Sequence, residues 1–307
     1  WNLSVNRDFH QYLHDFSRQT VDAEPAVSSR RRCQQIYELP FRIASRKDAA
    51  LVVGAGTGND VMAALRQDFH SVLSVEIDPA ILRVGEQFHP ERPYSDLRAI
   101  PVINDARAYF EQNPGSRFDV ICYGLLDSHA MFSAMSSLRL DNFVYTVEGV
   151  RAGWRQVKED GILSLSFSVY AGRWMAERML GIIREATGLS PIVVPHGLNY
   201  GITYLVGRHL RPEAVAAITP KLIVDPTPNP AIRIPTDDWP FLYLRPGSIP
   251  YAYLSVLLVI VVTSAFAIRR VYGREMFTGR RFDVPLFLMG SAFMVLETRM
   301  VTYVSVL

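Results

Sequence analysis

Residues 51 to 60 read LVVGAGTGND, an apolar run that ends at Val53 and gives way to glycine at positions 54, 56 and 58. The run reads as a buried strand. The glycines permit a tight turn whose backbone can approach a ligand closely before a helix begins. Such a turn belongs at the carboxyl edge of a parallel sheet, where ligands of α/β proteins bind. The chain around it agrees. Short apolar, β-branched runs recur at 50–53, 71–76, 98–103, 118–123, 162–168, 191–194 and 202–206. Helical stretches fit between them at 59–66, 79–86, 106–112, 144–158 and 173–186. This alternation predicts an α/β fold, Rossmann-like and doubly wound, with a mainly parallel seven-stranded sheet covered on both faces. Asp105 stands where an N-cap belongs, and Gly161 reads as a helix stop.

Composition narrows the function classes. Thirty-two Lys and Arg against 30 Asp and Glu leave a formal charge of +2, too small to point to a nucleic-acid partner. Two cysteines, Cys33 and Cys122, suggest neither a disulfide framework nor a metal site, so no metal is expected. The chain opens at Trp1 and closes inside an apolar run, as a segment of a longer protein would.

Four regions are expected: an N-terminal segment over 1–48, a nucleoside-binding α/β domain over 49–210, a proline-rich connector over 211–248, and two apolar segments over 249–307. The cluster Arg30, Arg31, Arg32 in the first region reads as a solvated face. Residues 249–268 carry no charge, and 284–307 are apolar apart from Glu297 and Arg299. At 1.5 Å per residue, twenty residues match a hydrocarbon core of roughly 30 Å, so two transmembrane helices are predicted.

The strand ends carry the chemistry. Gly54, Gly56, Gly58 and Asn59 form the expected cofactor turn, and asparagine rather than glycine at 59 points away from NAD. Glu76 ends the second strand, where a carboxylate accepts two hydrogen bonds from a ribose diol. Asp105, with Ala106 beside it, ends the third and suits the amine of an adenine ring. After the fourth strand come Asp127, Ser128 and His129. Asp127 is placed to orient or deprotonate an attacking amine, and His129 to act as a base. Asp237 and Asp238, in the connector, add carboxylates for a cationic substrate.

VVGAGTGND, VEIDP, HPERPY, NDARAYF, LLDSH, RLDNFVYTVE and TDDWPFLYL, with two apolar segments behind them, together resemble the bacterial membrane-associated relatives of spermidine synthase. That family lies within the class I S-adenosylmethionine-dependent methyltransferase fold, and the resemblance covers roughly residues 35 to 307. It implies a transferase that uses S-adenosylmethionine or its decarboxylated form to alkylate an amine, by aminopropyl transfer to a polyamine. The sequence departs from the family at two places. Gly124 stands where the family's first Asp of D-S-S-D, the base, stands, and Thr57 replaces the acid of the glycine turn. A methyltransferase and a catalytically degenerate ligand-binding domain of a membrane protein are therefore alternatives. Expected partners are a small amine or polyamine and a lipid bilayer, with a homodimer as an option. The loop of 269–283 holds five arginines against Glu275 and Asp283, which argues for a cytoplasmic loop. S-adenosylmethionine is a cytoplasmic metabolite, however, so the polar domain is expected at the membrane on the cytoplasmic side.

Overall fold

The computed structural model describes residues 2–5, 8–25, 28–125, 141–169, 172–196, 201–244, 251–272 and 284–304. They divide into two compact units, the first running to Leu242 and the second from Tyr243 onward.

The first unit begins with an antiparallel hairpin, β1 (Asn2–Val5) and β2 (Asp8–Tyr12). Two helices follow, α1 (Arg18–Asp22) and α2 (Ser29–Arg42), the second capped by Ser28, which accepts from the Arg31 N–H. Arg30 and Arg31 are not merely solvated. Arg30 Nε lies 3.0 Å from Glu24 and its guanidinium also donates to the Asp15 carbonyl, while Arg31 donates to the Glu24 carbonyl.

The alternating core then runs β3 (Ala49–Val53), α3 (Asn59–Arg66), β4 (Ser71–Glu76), α4 (Pro79–Phe88), β5 (Ala99–Ile103), α5 (Ala106–Gln112) and β6 (Phe118–Tyr123). After it come α6 (Asp141–Val144), α7 (Val147–Arg155), β7 (Val157–Ser168), α8 (Arg173–Thr187), β8 (Ile192–Pro195), β9 (Gly201–Val206) and α9 (Pro212–Ala216). Seven of these strands form one sheet in the order β5-β4-β3-β6-β7-β9-β8. β3 to β7 are parallel, and β9 runs antiparallel to both its neighbours. The expected seven-stranded, mainly parallel sheet is thus present.

Burial explains the order. β3 reads AALVV, and Ala50 to Val53 are all buried, as a central strand covered on both faces must be. On one face Val52, Val72 and Val120 pack with Leu65, Phe41 and Phe69. Asp119, buried in β6, accepts from the N–H groups of Asp48 and Ala49 where β3 begins, and pairs with Lys158 at 2.9 Å. From β3 the chain builds outward through β4 to β5, then crosses to β6 on the other side of β3. That reversal opens a crevice at the carboxyl ends of β3 and β6.

The largest departure from the expected boundaries lies between α7 and β7. The helix predicted over 144–158 ends at Arg155, and Gly161 lies inside β7 rather than stopping a helix. A Cβ at 161 would stand 2.9 Å from the Phe118 carbonyl oxygen and 3.0 Å from that of Asp119, beside a register shift between Phe118 and Val120. The glycine serves close strand approach.

Gly58 answers to a different constraint. It caps α3 at φ 103°, and a Cβ there would fall 2.5 Å from Pro93 Cγ. Gly58→Ala is expected to cost about 2–4 kcal/mol, from left-handed strain and overpacking together, read as a shift of the urea midpoint.

The second unit holds α10 (Tyr251–Tyr272) and α11 (Val284–Val304), where spans were expected. Among the described residues no helix is long and apolar enough to cross a membrane. Leu257, Leu258, Phe266, Phe287, Met289 and Leu296 are nonetheless exposed, as is Glu297.

Candidate functional site

The turn after β3 is held from both sides. Its Ala55 N–H donates to Val75 in β4, and the Gly56 N–H donates to Glu76 Oε2 at 2.7 Å. The other Glu76 oxygen accepts from the Asp78 N–H at 3.0 Å, and the side chain is 6% exposed. Each carboxylate oxygen keeps a lone pair. Tyr94 donates its hydroxyl to the Gly56 carbonyl at 2.9 Å, and burial beside Glu76 raises its pKa.

The N-terminal segment covers the turn. Gln11 donates to Thr57 Oγ1, and its amide occupies the space a Cβ on Gly56 would fill. Asn59 is the main tether: its amide nitrogen donates to the Tyr12 carbonyl at 2.6 Å, and its oxygen accepts from the His14 N–H and from His89 Nε2, both at 3.1 Å. The Phe16 N–H donates to Glu91, which Arg66 also grips.

Asp105 caps α5, accepting from the Ala108 N–H at 2.9 Å, with Ala106 buried behind it. Beyond the acids at the strand ends, three apolar side chains stay in solvent: Ile77 is 50% exposed, Ile103 58% and Leu125 44%. They follow or end β4, β5 and β6, three parallel strands of one sheet edge. Sequence reasoning passed over them, although each lies within two positions of an acid it had singled out.

A cavity of about 850 Å³ opens beside the turn. Tyr12, His14 and Asp15 form one wall, Cys33 and Tyr37 of α2 another, and Ser166 and Ile202 a third. Its floor is Gly54, Ala55, Asn59, Asp60, Cys122 and Gly124. Gly54 and Asn59 therefore reach the cavity, whereas Glu76 and Asp105 do not line it. Asp60 was not among the expected site residues. It is partly buried, the Cys122 thiol approaches its Oδ1 at 3.7 Å, and burial raises its pKa to about 6.

Asp127 and His129 lie outside the described residues. Asp237 is committed elsewhere: its Oδ1 accepts from Thr146 at 2.7 Å, its Oδ2 pairs with Arg107 at 3.0 Å, and its N–H donates to Glu148. Asp238 is exposed, and neither residue lines the cavity. Among the described residues no cluster of His, Cys, Asp and Glu is arranged to hold a metal ion.

The histidines around the tether are neutral. His89 is 2% exposed; its Nδ1 accepts from the Glu91 N–H, so its proton sits on Nε2 and is donated to Asn59. Burial, then the nearby Arg66, lowers its pKa to about 4. The unfolded chain takes up this proton near pH 6.5, the folded chain only near 4, so stability is lost as pH falls through that window. Between pH 7.5 and 4.5 His89 is expected to remove roughly 2–3 kcal/mol, and His89→Gln to blunt the fall in urea midpoint.

No family model matches the chain. Among solved structures it is similar to spermidine synthase from Thermotoga maritima, at 15% identity over 76% of this chain and 77% of that one, with a TM-score of 0.50. A spermidine synthase in complex with the transition-state analogue AdoDATO matches over the same shares at 14% identity and a TM-score of 0.49. Human methyltransferase-like protein 13 in complex with SAH is 18% identical over 61% of this chain and 88% of that one, at a TM-score of 0.47. At such identities the likeness is one of fold, and it agrees with the strand order found above: the chain has the class I S-adenosylmethionine-dependent methyltransferase fold.

Proposed function

We propose that the chain is a transferase that alkylates an amine at the expense of S-adenosylmethionine or its decarboxylated form, the polyamine reaction being an aminopropyl transfer. One observation carries the reading: the Glu76 carboxylate is bonded to the Gly56 N–H, while Ile77, Ile103 and Leu125 stand exposed along the same sheet edge. The free lone pairs of Glu76 suit a ribose diol, and the apolar side chains suit the faces of a purine. Asp105 keeps one carboxylate oxygen beyond its cap bond for the exocyclic amine. Such a cofactor supplies an electrophilic carbon on a sulfonium, already a good leaving group. The protein has then to align the acceptor, take up its proton and exclude water. The cavity wall holds Asp15, Glu24 and Asp60 against Arg30, which favours a cationic acceptor. Isothermal titration of the full chain in detergent with each cofactor is expected to show micromolar binding of at least one; binding of neither would falsify the reading.

Methyl transfer uses the same cradle, and Thr57 in place of the family's acidic turn residue favours it. Product mass separates the two: a three-carbon amine addition marks aminopropyl transfer, a methyl addition the rival.

The second unit belongs to the same proposal. The exposed apolar side chains of α10 and α11 support association with lipid, the polar unit facing the cytoplasm where the cofactor is made. The full chain is expected to float with liposomes. A chain that stays with the soluble fraction would remove the lipid partner.

A further inference from the structure

Resting on the transferase reading, we propose that Asp60 receives the proton of the acceptor amine, its carboxylate filling the space left open by Gly124. Three observations place it there. First, Asp60 lines the cavity floor at the junction of the β3 turn and the end of β6, where a ligand meets the crevice. Second, a Cβ at 124 would stand 2.7 Å from Asp60 Oδ2. Gly124 is not in the left-handed region, so its backbone would accept a side chain, and what it avoids is this carboxylate. Third, the other carboxylates of the wall are engaged. Asp15 accepts from the Ser17 N–H and the Thr20 hydroxyl, and Glu24 pairs with Arg30. Among the described residues no cation pairs with Asp60, and the Cys122 thiol at 3.7 Å is a weak donor.

The groups facing Asp60 leave the task to it. Cys122 of β6, Cys33 and Tyr37 of α2, and Tyr94 all have raised pKa values, so each stays protonated at neutral pH. His14 and His196 on the cavity wall hold protons only below about pH 4, whereas Asp60 holds one up to about 6. The carboxylate is therefore a better proton acceptor than either histidine. In the step, a primary ammonium gives one proton to Asp60. The freed nitrogen lone pair forms the new N–C bond as the C–S bond breaks, and sulfur leaves with that electron pair as a neutral thioether. The product is a secondary ammonium, and Asp60 passes its proton to water.

Asp60→Asn, isosteric and uncharged, is expected to leave nucleoside affinity within threefold of wild type, to weaken 1,4-diaminobutane binding at least tenfold by isothermal titration, and to lower turnover at least a hundredfold. Wild-type kcat/KM should fall below about pH 6, and this acid limb should move in the double variant Asp60→Ala, Gly124→Asp, which returns a carboxylate to the same space from β6. Recovery of at least a tenth of turnover in the double variant supports the assignment. Nucleoside binding together with an Asp60→Asn protein that still binds diamine and turns over like wild type overturns it. A wild type that binds no nucleoside removes the transferase reading, and the assignment falls with it.

Discussion

Glu76→Ala should abolish nucleoside binding and lower the unfolding free energy by about 2–5 kcal/mol. The carboxylate does two things at once. It accepts from the Gly56 N–H on one oxygen and the Asp78 N–H on the other, inside a nearly closed site. Alanine leaves both donors without an acceptor, and each buried unsatisfied group costs about 1–3 kcal/mol. It also removes the carboxylate bonded to the Gly56 N–H, and with it the proposed contact to a ribose diol. Glu76→Gln separates the effects. One amide oxygen can still serve Gly56, which holds the stability loss to about 1–2 kcal/mol, while an NH₂ group now faces the Asp78 N–H. Titration and urea unfolding on both variants read the outcome. Retained affinity in the alanine variant would show that the nucleoside does not use this strand end.

Arg66→Met should destabilise the fold by about 3–5 kcal/mol without touching the cavity lining. Arg66 Nε lies 2.8 Å from Glu38 and its Nη1 2.9 Å from Glu91; Glu38 is buried, and the Arg66 and Glu91 side chains are only 13% and 7% exposed. Methionine fills much of the volume but strands two carboxylates, and removal of one partner from a buried pair costs that much. Glu38 also takes Gln34 and Gln67, and Glu91 takes the Phe16 N–H, so the loss spreads from α3 to α2 and the N-terminal segment. Converting Glu38 and Glu91 to glutamine in the same protein should return most of the stability, because the cost lies in the uncompensated charge. A triple variant no more stable than Arg66→Met would place the cost in packing instead.

What the sequence displayed and what it hid follow from the range of the forces involved. The limits of β4, β6, α3 and α5 coincide with the predicted ones, because apolar periodicity and turn residues are local signals. β1, β2 and α2 carried no clear pattern; β2 and α2 are held by distant partners, Asn59 and Arg66. The start of β7 was lost for a similar reason, since VKED reads as the end of a helix until its pairing with β6 is known. At the site, the turn glycines, Asn59, Glu76 and Asp105 were visible as acids and glycines at strand ends. Asp60 was not, because its importance depends on a missing side chain at Gly124, far along the chain. Asp237 shows the converse: its sequence context suggests a free acid, yet Arg107 and Thr146 take both its oxygens.

The clasp formed by Asn59, with Gln11 lying across Gly56, makes the opening residues of the chain one side of the cavity. Docking of that strip and occupancy of the chamber are then a single linked equilibrium. Any molecule that binds only the clasped form must raise the protection of residues 11 to 16 by the same free energy that the clasp lends to its own affinity.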